Sequence, residues 1–350
     1  MSGAIGSSYG TLGLLVAAGA TSRQRVDTLT AQVASGHVAD SYGGLGAAAQ
    51  TALDLQPQIT RLRTLQANID ATTGRLDITQ TAMTQLAGIA SKFYAQTSTL
   101  DGLSASNVDS VSAAARDALR EVAGLLDTKD GTAYVFGGTD SATAPVPNPD
   151  AILSSGFNTQ VGAAVVGLSA NGAVATAAAT LAIASSDTAG TTPFAGPPGV
   201  APTVETGDGL HTQTGLLANK NTLATSFGAS TTGSYARDLL RSLATLGSLT
   251  RAQVNDPGFA GLVADRRTSL SGVVDAAGAE AGALGNQQAR LATVRTQLGD
   301  TATALKTQIS GVQDVDLAKT LSDLSVAQTQ LQASYQLIAG MKSLSLTNYV

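Results

Sequence analysis

A mainly α-helical fold, with discontinuous coiled-coil or helical-bundle domains drawn from both termini and a β-rich insert between them, follows from three features of the sequence. Leu55, Leu62, Ile69, Leu76, Met83 and Ala90 fall seven apart towards one end. Leu270, Ala277, Leu284, Leu291, Leu298, Leu305 and Val312 do the same towards the other. Such a repeat keeps one apolar stripe against a partner helix and implies a left-handed supercoil. Between these rows, over about 139–234, Gly, Ala, Thr, Ser and Pro dominate, and Lys220 is the only basic residue.

The elements follow in order. Val26, Leu29 and Val33 at helical spacing predict a first helix. It stops at Ser35–Gly36, where glycine can adopt a left-handed cap. Gly43, Gly44 and Gly46 mark a loop. The row from Leu55 to Ala90, with a second at Leu65, Thr72, Thr79, Leu86 and Phe93, predicts a long helix. Pro57 lacks an amide N–H and suits a first helical turn, which places a break near Asp54–Pro57. Ser106 to about Asp127 forms a further helix with Val108, Val111, Ala115, Leu119, Val122 and Leu126 on one face, capped by Ser104 or Ser106. Asp130–Gly131 then turns the chain into a short strand from Ala133 to Phe136.

Within the insert, Val161–Leu168 and Val174–Ile183 read as strands, and the insert as a whole reads as dispensable for the bundle. The long C-terminal helix is interrupted at Gly311-Val312-Gln313-Asp314. A new phase follows at Leu317, Leu321, Leu324, Gln328, Leu331, Tyr335 and Ile338. Asp314 and Asp316 favour the restart, because acids suit a helix N-terminus. The partner of these rows is the helix at the other end of the chain, a neighbouring subunit, or both. Val26, Leu29, Val33, Leu317, Leu321, Leu324, Leu331, Tyr335 and Ile338 are the candidate assembly-interface residues.

Composition narrows the function. Hydrophobic residues make up 43% of the 350 residues but aromatics only 4%, too few for the usual lining of a catalytic pocket. Charged residues are 13% and the net charge is −5, with no basic cluster to displace the counterions of a nucleic acid. The absence of cysteine excludes disulfides, Cys-ligated metals and thiol catalysis. The apolar stretch Thr11–Ala20 is about half the ~20 residues of a membrane span, and no basic residue precedes it as in a signal peptide. Neither membrane insertion nor a cleaved leader is expected.

The chemical motifs are weak. Gly6-Ser7-Ser8-Tyr9-Gly10 matches a nucleophile elbow, but that motif works only on a strand-to-helix turn with a histidine and an acid nearby. A secreted hydrolase using Ser8 is the rival from another class. His37 and His211 each follow a glycine-containing turn and read as exposed loop histidines rather than metal ligands. Asp127-Thr128-Lys129-Asp130-Gly131 lacks the oxygen spacing of a calcium loop. No P-loop or dinucleotide fingerprint is present, so no catalytic residue, metal or cofactor is assigned.

Four stretches resemble the flagellin family. Gln32-Val33-Ala34-Ser35-Gly36-His37-Val38-Ala39-Asp40 is similar to the family's turn after its first helix. Gly131-Thr132-Ala133-Tyr134-Val135-Phe136-Gly137-Gly138-Thr139 resembles the hairpin before its variable domain. Gly282-Ala283-Leu284-Gly285-Asn286, then Leu291, resembles the start of its long C-terminal helix. The run Gln330-Leu331-Gln332-Ala333-Ser334-Tyr335 and the ending Leu344-Ser345-Leu346-Thr347-Asn348-Tyr349-Val350 resemble the family's hook–filament junction members more than its filament subunits. His37 stands where the family has a basic residue, Gly43-Gly44 where it has an acidic cluster, and Pro57 is unexpected in a helix.

The resemblance implies three domains: a terminal coiled-coil assembly domain from 1–50 plus 313–350, a helical bundle from 51–138 plus 235–312, and a variable outer insert at 139–234. It implies an extracellular, non-enzymatic adaptor of the bacterial flagellum, exported uncleaved through the flagellar type III apparatus. Its implied partners are flagellin, the neighbouring hook-associated junction protein, further copies of itself in a ring, and an export chaperone. A filament-forming flagellin is the alternative within the family. A coiled-coil adhesin would instead require a signal peptide or anchor.

Overall fold

The structure, a computed structural model, describes residues 3–100, 105–207, 209–213, 215–224 and 229–343. Among the described residues it is mainly α-helical, with two short antiparallel hairpins. The chain forms two compact units, Met1–Arg63 with Leu298–Val350 and Thr64–Gln297. This division falls further into the chain than 50 and 313, and it leaves the insert inside the second unit rather than as a unit of its own.

Helix α1 (Gly3–Ser35) stops where Gly36 takes φ 74° and returns its N–H to Gln32 O at 2.8 Å. Helix α2 then runs Ala48–Thr99 without interruption, which corrects the break expected at Asp54–Pro57. Pro57 and Leu53 are exposed, so the carbonyl that loses its amide donor faces water, and the helix continues past one missing bond.

In the unit Thr64–Gln297, Ile69, Leu76, Met83 and Ala90 are buried, as are Leu65, Thr72, Thr79, Leu86 and Phe93. The threonine hydroxyls in these rows bond back to their own helix, Thr72 to Asn68 O and Thr79 to Arg75 O, so their burial leaves no orphaned donor. Helix α7 (Phe259–Gln313) supplies Leu270, Ala277, Leu284 and Leu291 to the core. The two helices run antiparallel. Asp70 holds Arg295 through two bonds, Gln288 Nε2 donates to Asp77 at 2.7 Å, and Arg267 Nη2 donates to Thr97 O at 2.7 Å. Within this unit, the opposite end of the same chain is the partner of the heptad rows. Each buried Leu contributes about 1.5–3 kcal/mol.

Helix α3 (Ala105–Leu126) buries Val108, Ala115, Leu119, Val122 and Leu126. Ser104 and the Ser106 side chain, named as caps, lie outside the described residues. The turn at Gly131, φ 59°, joins β1 (Lys129–Asp130) to β2 (Ala133–Tyr134). The strand is shorter than expected because Val135 and Phe136 leave it to enter the core.

The insert is corrected most. Strand β3 (Thr203–Gly207) pairs antiparallel with β4 (Leu210–Gln213), but the two segments read as strands are helices. They form α4 (Gly156–Val166) and α5 (Leu168–Ser185). Ser155 caps α4 by accepting from Asn158 N, and alanine, the best helix former, fills α5. Phe157, Val161, Val165 and Leu168 are buried at spacings of four and three, a helical period that the valine content obscured. Gly172 at φ 74° breaks α5, so its continuous part begins at 173 and is too short to cross a bilayer.

Helix α6 (Tyr235–Gly247) is buried along its whole length and carries charge into the core. Arg237 donates to Asn219 O, Ala184 O and Ser186 O, pairs with Asp187, and stacks 5.2 Å from the Phe194 ring centroid. Asp238 accepts from Thr231 Oγ1 and Thr232 N. Every one of these partners belongs to the insert, so it is not a dispensable appendage. Replacing 140–234 with a short Gly/Ser loop removes these partners of Arg237 and Asp238 and uncovers the face of α6 against which α4 and α5 pack, so that buried apolar area is lost together with the paired charges. Circular dichroism melting is expected to show loss of a cooperative transition, or a midpoint lowered by roughly 10 °C or more.

Asp127 adds a pH dependence. Its carboxylate accepts from Val146 N at 2.8 Å, and burial pushes its pKa up to about 6. A carboxyl raised above its unfolded value binds extra protons in the folded state. Its stabilising share is therefore present at low pH and lost as pH rises through about 6. Asn at this position still accepts from Val146 N but cannot ionise. Urea unfolding should find Asp127→Asn more stable than the parent at pH 7.5, on the order of 1 kcal/mol after solvent screening of a half-buried group, and equal to it near pH 4.

Candidate assembly interface

In the unit formed by Met1–Arg63 and Leu298–Val350, α1 packs against α8 (Leu317–Ser343). The two run antiparallel. A Cβ added at Gly19 would meet Ile338 Cδ1 at 3.7 Å, while His37 pairs in a backbone bridge with Asp314. Val38 N donates to Gln313 O at 2.7 Å and Val315 N to Gly36 O at 2.9 Å, tying the turn after α1 to the α7–α8 junction.

Polar side chains hold the same corner. His37 Nδ1 lies 2.9 Å from Asp314 Oδ1, and Ser310 Oγ donates to the other oxygen. The Ser310 hydroxyl, and after it His37, hold the Asp314 carboxyl below the usual carboxylate range. Asp316 Oδ1 accepts Lys319 N at 3.1 Å, so it caps the first turn of α8. The expected restart is present, with Asp316 capping the helix and Asp314 held by the turn.

Each helix presents one stripe at alternating spacings of four and three. On α1 it comprises Leu15, Gly19, Ser22, Val26, Leu29 and Val33, all buried or half-buried. On α8 it comprises Thr320, Leu324, Ala327, Leu331, Ser334 and Ile338. The structure therefore places Val26, Leu29, Val33, Leu324, Leu331 and Ile338 on the stripes within the chain. It leaves Leu317, Leu321 and Tyr335 exposed, at 49%, 51% and 51%. Leu14, Val16, Val326 and Leu337 are exposed as well. Sequence reasoning missed Gly19, Ser22, Thr320, Ala327 and Ser334 because they are small or polar. The alternation of four and three admits them, but on α8 it admits the larger residues equally.

The rival chemistry has no geometry here. Gly6 to Gly10 lie within α1, not on a strand-to-helix turn, and the Ser8 side chain lies outside the described residues. His37 belongs to one unit and His211, on β4 opposite Glu205, to the other. Among the described residues no group of three His, Asp or Glu side chains is arranged to hold a metal.

Residues 17–140 match the family model of the bacterial flagellin N-terminal helical region, and residues 271–350 match that of the bacterial flagellin C-terminal helical region. Together they take in more than half of the chain. No match was found among curated proteins.

The stripe makes a direct prediction. Leu331→Asp puts a carboxylate between α1 and α8, and an unpaired charge there costs several kcal/mol. Hydrogen-exchange mass spectrometry should show protection lost by at least about a hundredfold in 13–35 and 317–340. Protection in 64–100 and 259–297 should be retained.

Proposed function

Because this chain belongs to the bacterial flagellin family, we propose that it is the adaptor that joins the flagellar hook to the filament. The family comprises structural, non-enzymatic proteins of the extracellular bacterial flagellar filament, and it assembles by self-association. The finer role rests on one observation, the ending Leu344-Ser345-Leu346-Thr347-Asn348-Tyr349-Val350, which resembles that of hook–filament junction members of the hook-associated protein 3 type. Filament subunits tend instead to end in a Leu-Leu-Arg-like tail.

In this reading 1–50 and 313–350 assemble, 51–138 and 235–312 give a bundle that the insert packed on α6 helps to hold, and the rest of 139–234 faces outward. The exposed Leu317, Leu321 and Tyr335 on α8 supply the apolar surface for neighbouring subunits. These are further copies in a ring, the adjoining hook-associated junction protein on one side and flagellin on the other. The terminal helices gain their final order on joining that axial structure, where burial against neighbours offsets the entropy of ordering. Export is by the flagellar type III route, uncleaved and with a dedicated chaperone.

Cells lacking the gene test the role. Electron microscopy is expected to show hooks without filaments, with unpolymerised flagellin in the medium. Filament loss without leaked flagellin would instead mark a filament subunit, and intact flagella would overturn the flagellar reading. In the same cells Leu321→Asp should be exported and folded yet fail to restore filaments. A normal filament on that variant would remove the exposed face of α8 from the interface.

A further inference from the structure

Helix α6 and the first turns of α7 bury two arginines with more donors than acceptors around them. Arg241 and Arg266 are both fully buried. One carboxylate oxygen serves both: Asp265 Oδ2 lies 3.8 Å from Arg241 Nη2 and bonds Arg266 Nη2. Arg241 Nη2 is also met by the Ser230 hydroxyl at 2.6 Å and carbonyl at 3.2 Å. Asp238, the other acid on α6, gives its oxygens to Thr231 and Thr232 and bonds neither arginine.

The remaining nitrogens are unmet. Nε and Nη1 of both arginines are buried without a partner, and so are the hydroxyls of Ser242 and Ser269, which neighbour Arg241 and Arg266 on their helices. A guanidinium has only donors to offer and cannot turn one into an acceptor. Burial, and after it the nearby Arg266, lower the pKa of Arg241 to about 9, against the pull of Asp238 and Asp265. Among the described residues, two cations share one carboxylate oxygen of Asp265, Asp238 bears on both through its charge alone, and Nε and Nη1 of each arginine meet no acceptor.

We propose that a small inorganic anion, chloride or a phosphate-type oxyanion, binds between Arg241 and Arg266. An anion accepts at every contact, matching groups that only donate, and its bonds to guanidinium are charge-assisted. Water is the poorer occupant, because its own hydrogens find no acceptor among these nitrogens.

The test uses the full chain, dialysed into sodium gluconate and titrated with sodium chloride or sodium phosphate at constant ionic strength. The unfolding midpoint is expected to rise and saturate with one of the two, since a ligand that binds only the folded state stabilises it by mass action. A response to chloride alone defines a monatomic site, and a response to phosphate alone an oxyanion site. Arg266→Met should raise the half-saturating concentration by about tenfold or more, the loss of one charge-assisted contact. Arg241→Lys, which keeps the charge but not the planar fork, should raise it less. Should both variants fail to fold, equilibrium dialysis of the unaltered protein with radiolabelled chloride or phosphate decides. About one ion per chain supports the site and none overturns it. Equal midpoints in all three salts, or a response that Arg266→Met leaves unchanged (an adventitious ion only), would also overturn it and leave water as the occupant.

Discussion

Everything in this molecule waits on the meeting of the two ends of the chain. The rows of α2 and α7 that face each other lie far apart in sequence. Arg267 reaches Thr97 across 170 residues, and His37 reaches Asp314 across 277. A single amphipathic helix gains little by itself in water, so the stability of each is borrowed from its apolar stripe against the other. Contacts this distant must first overcome the entropy of closing the loop between them, which makes folding slow relative to a bundle of adjacent hairpins. The polar pins on the antiparallel pair, Asp70 with Arg295 and Asp77 with Gln288, are exposed and add little energy. Their effect is on register. A slip of α2 along α7 by seven residues, two turns, would keep the apolar rows facing each other but separate both pairs.

The insert solves a different problem. Its sequence is nearly uncharged and poor in large apolar residues, and alone it has little to bury. It becomes ordered by wrapping α6, whose ionised residues supply what its backbone needs: Arg237 bonds three insert carbonyls and Asp238 holds an insert amide. Glu280, fully buried on α7, accepts from the amides of Thr222 and Leu223 and pins the irregular segment after β4 in the same way. Such charges are weak sources of net stability but are costly to uncover, so they enforce one arrangement rather than deepen it.

How much of this was legible in the sequence depended on the period. The seven-residue rows of α2 and α7 were visible because large aliphatic residues mark each repeat, and the caps at Gly36 and Asp316 because their chemistry is local. Three features were not. Pro57 has a cost that depends on whether Leu53 O can reach water, which only the exposed setting shows. Val161 and Val165 carry strand propensity, but their spacing of four and the alanines around them decide for helix. The burial of Arg241 and Arg266 has no sequence signal, because arginine is rarely buried and nothing local to them shows that α6 is enclosed along its whole length.

The candidate interface shows where periodicity itself runs out. On α8 the residues Leu317, Leu321, Leu324, Gln328, Leu331, Tyr335 and Ile338 form one alternating row of fours and threes. Thr320, Leu324, Ala327, Leu331, Ser334 and Ile338 form another that shares half its members. Both satisfy the spacing of a helical seam. Hydropathy favours the first row, yet the structure packs the second against α1, because small residues at Gly19, Ser22, Ala327 and Ser334 let the two backbones approach. The larger side chains Leu317, Leu321 and Tyr335 are thereby displaced to the flank, where they stay exposed. A helix that spends its small residues on its partner within the chain and keeps its large ones for the outside has a second apolar face, and water is a poor occupant for it. In a family built to polymerise, that division of one helix into two seams is what the proposed assembly requires: the first pairs the ends of one chain, and the second is left for its neighbours.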